Sequence, residues 1–248
     1  MTFIRSDLKR AFRLEGCSIC RLVHLNEERW IWSMLYEFTG DPGLRTRFDE
    51  ALGLCRYHAH LMVQVVEERE LIGMAGVARI YETVVKRYVE LLHKANQADI
   101  LSGVRRSVRR PISDRMSPGP QVCMLCQSTQ GGRLTILSLL DVLEDEDESW
   151  REQFIASDGL CNPHVEMAVE EIRKPELRAF LIEDHLARLE ALQERLYQLQ
   201  RKQSYNVDEE VTPEEARSWR EAIWRFTGME YHRPLIKRGG RNPLWNVE

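Results

Sequence analysis

The chain has 248 residues, of which 43% are hydrophobic and 30% charged, and its formal net charge is -4. That length suits one large domain or two small ones, and the charge balance offers no overall field for nucleic acid or an anionic membrane, so any basic surface has to be local. Charged residues interrupt Met1–Arg10 where a secretory leader needs apolar sequence, and no apolar run is long enough to span a bilayer; the expectation is a cytoplasmic protein without membrane contact.

The first clear element runs from Arg21 to Phe38, where Leu22, Val23, Trp30, Ile31, Leu35 and Phe38 suit a helix leaving a Cys17-x-x-Cys20 turn. A short helix through Arg45–Leu52 should stop at Gly53, which tolerates positive φ. Val63, Val66, Met74, Val77, Ile80, Val84, Tyr88 and Leu91 then recur at helical spacing, predicting a long helix from Tyr57 to Lys94, eased at Gly73 or Gly76. Residues 97–120 carry Arg105, Arg106, Arg109, Arg110 and Arg115 among Ser, Pro and Gly, and read as a basic linker.

Beyond the linker, Arg133–Leu143 answers to the first helix and the acidic run Glu144–Glu148 to a solvated loop. Gly159 is expected to end a helix as Gly53 does, and Asn162-Pro163 to cap and open the next. Pro175 should interrupt that run, after which Ile182, Leu189, Leu192, Leu196 and Leu199 follow three-four spacing, for packing within the chain or against a partner. Thr212-Pro213-Glu214-Glu215 is a helix start with a capping box, and Trp219, Ile223, Trp224 and Phe226 are expected to dock on the core and brace the body. The segment from Tyr231 to Glu248 reads as a tail or partner contact. No segment alternates like a strand, so the predicted fold is all-α.

The six cysteines fall in a repeat. Cys17 and Cys123, Cys20 and Cys126, Cys55 and Cys161, and His58 and His164 are each separated by 106 residues, and Gly53-Leu54 and Phe48 recur as Gly159-Leu160 and Phe154 at the same offset. An ungapped register of this extent indicates tandem duplication of a structural unit. Each copy reads Cys-x-x-Cys, 34 intervening residues, then Cys-x-x-His. Two short chelating pairs separated by a longer excursion are the pattern of a tetrahedral zinc site, and four protein ligands leave no position for water, so the metal holds structure. Taken copy by copy, the expected sites are Cys17, Cys20, Cys55 and His58, and Cys123, Cys126, Cys161 and His164, with two zinc ions per chain.

Other readings of these residues fit less well. A thioredoxin-like centre wants a strand before its Cys-x-x-Cys pair, and here the flanks are helical. Iron–sulfur clusters usually gather three cysteines closely. His24 and His60 have Gln130 and Glu166 at the repeated positions, so neither is taken as a ligand. The paired Cys-x-x-Cys and Gly-Leu-Cys-x-x-His elements, followed by Leu192–Tyr197, Ser204–Asn206 and Ser218–Ile223, resemble a bacterial family of unknown function with duplicated metal motifs. The likeness runs over roughly residues 15–228 and supports paired sites without implying a substrate.

The expected organisation is a first metal-binding repeat over residues 1–96, the linker over 97–120, a second repeat over 121–206, and a C-terminal helix and tail over 207–248. With no phosphate loop, Ser/His/Asp arrangement or open metal site, the sequence reads as a zinc-binding helical scaffold or adaptor with a protein partner or a second copy of itself. A thiol-based redox or metal sensor is the alternative. A nucleic-acid binder using Arg105, Arg106, Arg109 and Arg110 is a further one.

Overall fold

In a computed structural model, which describes residues 2–68, 74–101, 123–145 and 147–229, the chain is helical, and no strand occurs among the described residues. In chain order the helices are α1 (Thr2–Phe12), α2 (Ser18–Glu37), α3 (Pro42–Ala51), α4 (Arg56–Glu68), α5 (Met74–Leu101), α6 (Met124–Thr129), α7 (Arg133–Leu143), α8 (Ser149–Ala156), α9 (Asn162–Glu171), α10 (Pro175–Lys202) and α11 (Pro213–Thr227). A single 3-10 turn, Gln130–Gly132, joins α6 to α7. No described helix is long and apolar enough to cross a membrane. The basic linker's arginines and the tail after Met229 lie outside the described residues, while residues 97–101 form the end of α5.

The compact units are not the sequence halves that the repeat predicts. One unit takes the residues up to Leu25 together with those from Gly131 onward, and the other takes Asn26–Gln130. The division falls inside α2. At 20 residues that helix is about 30 Å long, so its two ends serve different cores.

In the first unit, α1, α7, α8, α9 and α10 enclose Leu8, Phe12, Ile19, Leu25, Ile136, Leu139, Phe154, Leu177 and Leu181. Phe12 sets its edge against Trp150 and Phe154, with ring centroids 6.5 and 5.9 Å apart. Arg188 from α10 donates to the carbonyls of Phe154, Ile155 and Ser157 at 3.2, 3.0 and 2.6 Å, satisfying the end of α8. Gly159, expected to stop this helix, instead follows its end and packs its backbone on Arg188.

Helices α10 and α11 run antiparallel, joined by Lys202–Glu215 at 2.8 Å and Arg195–Glu221 at 2.7 Å. Thr212 caps α11 in the expected capping box. Its face is not the expected one, however. Of the four apolar residues expected to dock, Trp224 packs on the core, whereas Trp219, Ile223 and Phe226 are exposed and the buried residues are Glu215, Ser218 and Arg225. Arg225 accounts for this: its guanidinium donates to the carbonyls of Leu160 and Asp158, each at 3.2 Å, so the helix braces the unit through these polar contacts together with Trp224.

In the second unit, α2, α3, α4, α5 and α6 gather Ile31, Met34, Phe48, Leu61, Val65, Ile80 and Leu125. Complete burial of such side chains contributes about 1.5–3 kcal/mol each. Asp41 caps α3, its Oδ1 accepting from Leu44 N at 2.6 Å. The helix ends where expected, but it needs two left-handed residues, Leu52 at φ 56° and Gly53 at φ 98°. The long helix predicted from Tyr57 to Lys94 is seen as two described pieces, α4 and α5, with Gly73 between them outside the described residues and Gly76 inside α5.

Candidate metal centres

The structure brings together all eight repeated residues, but in crossed sets. Cys17, Cys20, Cys161 and His164 form a cluster in the first unit, and Cys55, His58, Cys123 and Cys126 form one in the second. Each therefore combines the Cys-x-x-Cys of one copy with the Cys-x-x-His of the other, correcting the copy-by-copy assignment. Helix length supplies the reason. After Cys20, α2 continues for 17 residues, about 26 Å, and its far end enters the core of the second unit, where Cys55 lies.

All four pairs use the same local device. Cys17, Cys55, Cys123 and Cys161 each stand immediately before a helix, and Cys20, His58, Cys126 and His164 occupy its first turn, three residues on. On that spacing both side chains face one side, and the free N–H groups of the helix start favour negative sulfur. Cys161, not Asn162, is the capping position of α9; Asn162 is helical and its Oδ1 lies 2.9 Å from His185 Nε2.

Ring Nδ1 faces the sulfurs in both clusters. His164 Nδ1 lies 3.5, 3.4 and 3.1 Å from the Sγ atoms of Cys17, Cys20 and Cys161. His58 Nδ1 lies 3.3, 3.4 and 3.3 Å from those of Cys55, Cys123 and Cys126. The Cys20–Cys161 and Cys55–Cys126 sulfurs are 3.7 Å apart, far beyond the ~2.05 Å of a disulfide. A tetrahedral ion with metal–sulfur bonds near 2.3 Å and metal–nitrogen bonds near 2.05 Å would give S–S edges of about 3.8 Å and S–N edges of about 3.6 Å. The donor sets fit a four-coordinate metal, and in each the four ligand atoms lie within 4.8 Å of one another.

Charge gives the same answer. Burial opposes ionisation of Cys17, but contacts from Cys161, Cys20 and the His164 ring hold its thiol well below the usual range, while Cys20 is pushed up by Cys161, Cys17 and burial. In the other cluster, burial is again outweighed for Cys123 by His58 and the backbone N–H groups of Cys55, Cys126 and Leu125, lowering it to about 6. Cys126 is pushed up by burial and the Cys123 charge. Both rings, despite burial, are raised to about 10 by their thiolate neighbours, with Glu27 adding to His58. Three thiolates so close together need a cation, and a bound metal would supply the charge that lets all of them ionise.

The surroundings of the two clusters differ. In the first, Met229 closes the site: its N–H donates to Cys20 Sγ at 3.3 Å, and Cys17 N–H lies 3.1 Å from its Sδ. Asp158 Oδ2 accepts from Gly16 N at 2.6 Å, tying together the segments that lead to Cys17 and Cys161. Gly132 sits at φ 95°, and a Cβ there would come within 2.6 Å of Val23 Cγ2 and 3.2 Å of His164 Nε2, so this position needs glycine twice over.

In the second cluster His58 Nε2 lies 3.1 Å from Glu27 Oε1, and Tyr57 donates its hydroxyl to Glu27 Oε2 at 3.2 Å. Glu27 is 5% exposed, so its charge is spent on these partners and not on water. Sequence reasoning missed Glu27, Gly132 and Met229, which bear no repeated counterparts and lie far along the chain from the ligands they touch. Neither His24 nor His60 belongs to a cluster.

A family model described as a family of unknown function, DUF6062, matches residues 7–225. No curated protein and no solved structure matches the chain. The matched span includes all eight ligands and nearly all of α11. The chain belongs to this family of unknown function, DUF6062.

Proposed function

We propose that the protein is a zinc-stabilised helical scaffold or adaptor, built from a duplicated unit whose halves have exchanged metal partners. The observation that carries this reading is closure: each Cys3His cluster already supplies four ligands from helix N-termini inside a hydrophobic core, leaving no coordination position for a substrate. Borderline-soft Zn(II) suits three sulfurs and one imidazole, and tetrahedral coordination suits the observed edges. Reduced thiolate ligands are also consistent with a cytoplasmic protein.

The test is metal content per chain on anaerobically purified, tag-free protein, with an absorption spectrum of the same sample. Two zinc ions and no visible chromophore are expected. Iron with sulfide, or no metal, would overturn the reading. One observation favours a second role as a thiol redox sensor, since Cys126 is part-exposed while the other five cysteines are buried. Mild peroxide would then release metal from the Cys126 cluster first and reversibly, and loss only after irreversible damage would exclude it.

A further inference from the structure

A metal with four protein ligands exchanges fastest when an incoming ligand can reach it, so the ways into a cluster govern its exchange. In the first cluster Cys17 and Cys161 are fully buried, and the two ligands with some exposure are Cys20 at 8% and His164 at 9%. Gly132 lies against the imidazole edge, fixed between the 3-10 turn and α7. Met229 lies against Cys20. Which of the two covers can move then decides how metal passes.

Met229 stands one residue beyond α11. That residue, Gly228, has φ 80° and ψ 168°, a backbone region that is essentially glycine's alone, and it joins the helix to the methionine as a hinge. The helix side of the hinge is tied down, by Arg225 on the carbonyls of Leu160 and Asp158 and by the pairing of Glu215 and Glu221 with Lys202 and Arg195. Met229 itself is partly buried, in a shaped seat. Its N–H donates to Cys20 Sγ at 3.3 Å, its Sδ takes the Cys17 N–H at 3.1 Å, and Gly16 lacks the side chain that would overlap the thioether. A thioether accepts weakly, whereas an N–H aimed at the sulfur of a metal-bound thiolate is charge-assisted. The seat therefore grips best when the centre is full.

We propose that Met229, hinged at Gly228, is a latch over the first centre: closed, it shields Cys20 and retains the metal, and its opening sets the rate at which metal enters or leaves. In the second centre Cys126 is part-exposed, so a chelator approaches that metal directly. The latch rests on the reading that the centres hold zinc, and it gives one chain a slow, gated ion and a fast, accessible one.

Stopped-flow transfer of zinc from the full-length, loaded chain to a chromophoric chelator tests this, with Cys55→Ser and Cys123→Ser together leaving the first centre alone to report. Release from the first centre should level off as chelator rises, because opening limits it, while release from the second keeps rising in proportion. Met229→Ala empties the seat. It should speed release from the first centre by about tenfold or more, make it proportional to chelator, and leave the second centre's rate and the helicity unchanged. Met229→Leu, which refills the seat without the sulfur, should recover part of the plateau. Wild-type release from the first centre that rises in proportion to chelator throughout overturns the latch, as does a Met229→Ala rate equal to wild type. If Met229→Ala retains no metal there, the wild-type dependence on chelator decides alone. A wild type without zinc sinks the metal reading itself, whereas two zinc ions and no plateau sink the latch and leave that reading standing.

Discussion

The two candidate metal centres each present three cysteines and one histidine, in very different settings. The cluster of Cys17, Cys20, Cys161 and His164 is wholly buried, and backbone encloses it: Met229 N–H on a sulfur, Gly228 close behind two sulfurs, and Gly132 against the imidazole edge. The cluster of Cys55, His58, Cys123 and Cys126 leaves one sulfur part-exposed and places a charged chain, Tyr57 to Glu27 to His58, behind its imidazole. Backbone groups and Met229 close on the first site, while a buried carboxylate faces the imidazole of the second. Identical ligands therefore do not imply identical metal exchange, because the groups behind the ligands set their orientation and basicity.

The largest effects come from removing ligands in pairs, which also decides how the ligands are shared. Cys17→Ser with Cys161→Ser disables a single centre in the crossed arrangement, so one zinc per chain should remain. Cys17→Ser with Cys55→Ser disables both, and none should remain. Pairing in sequence order predicts the reverse, so elemental analysis of the two double variants separates the alternatives. Structural zinc contributes about 10–16 kcal/mol in small metal-folded peptides near neutral pH, more than a typical domain's net stability of ~5–15 kcal/mol. The Cys17/Cys161 variant should accordingly lose cooperative melting of the first unit while the second keeps its helices, read by residue-level hydrogen exchange.

This prediction also marks how far the sequence was legible. The eight ligands were readable because a constant offset of 106 residues cannot arise in both motifs by accident, yet that offset is unchanged when the partners are exchanged. Pairing is decided by the length of α2, a quantity the repeat does not contain. The capping box at Thr212 and the break before Pro175 were legible because both are local chemistry. The direction of α11 was not. Its apolar spacing is real, but Arg225 reaches carbonyls 65 and 67 residues away and turns the apolar side outward. Glu27 and Met229 were hidden for the same reason: each touches its cluster through tertiary packing, with no periodic signal to betray it.

A smaller effect sharpens the contrast between the settings. Glu27→Gln keeps the size of the side chain but removes the charge that faces His58 Nε2. Loss of a partner of this kind typically lowers metal affinity by about 10–100-fold. Competition with a chromophoric chelator should show that loss at the Cys55/His58/Cys123/Cys126 centre alone, with the other centre unchanged as an internal control. Equal weakening of both would mean that Glu27 acts through general stability and not through the imidazole it touches.

The smallest expected difference is in pH dependence, where the two centres should behave alike despite their settings. In the metal-free folded chain Cys126 is raised and His58 is held at about 10, so near neutrality each carries a proton that metal binding must expel, whereas Cys123, at about 6, has already lost its own. The other centre repeats this: Cys20 is raised, His164 stands at about 10, and Cys17 is lowered. Each of these two groups, by giving up a proton to the metal, makes binding about tenfold tighter per pH unit. The sign follows directly. Affinity falls as pH drops, more steeply below about 6 where Cys123 takes up a proton, and the histidine contribution ends above about 10. Zinc competition at several pH values between these limits should give parallel lines for the two centres. A slope lower by one proton at the Glu27 centre would mean that Tyr57 and Glu27 already hold His58 with Nδ1 unprotonated before metal arrives, so that the buried carboxylate pre-forms this ligand.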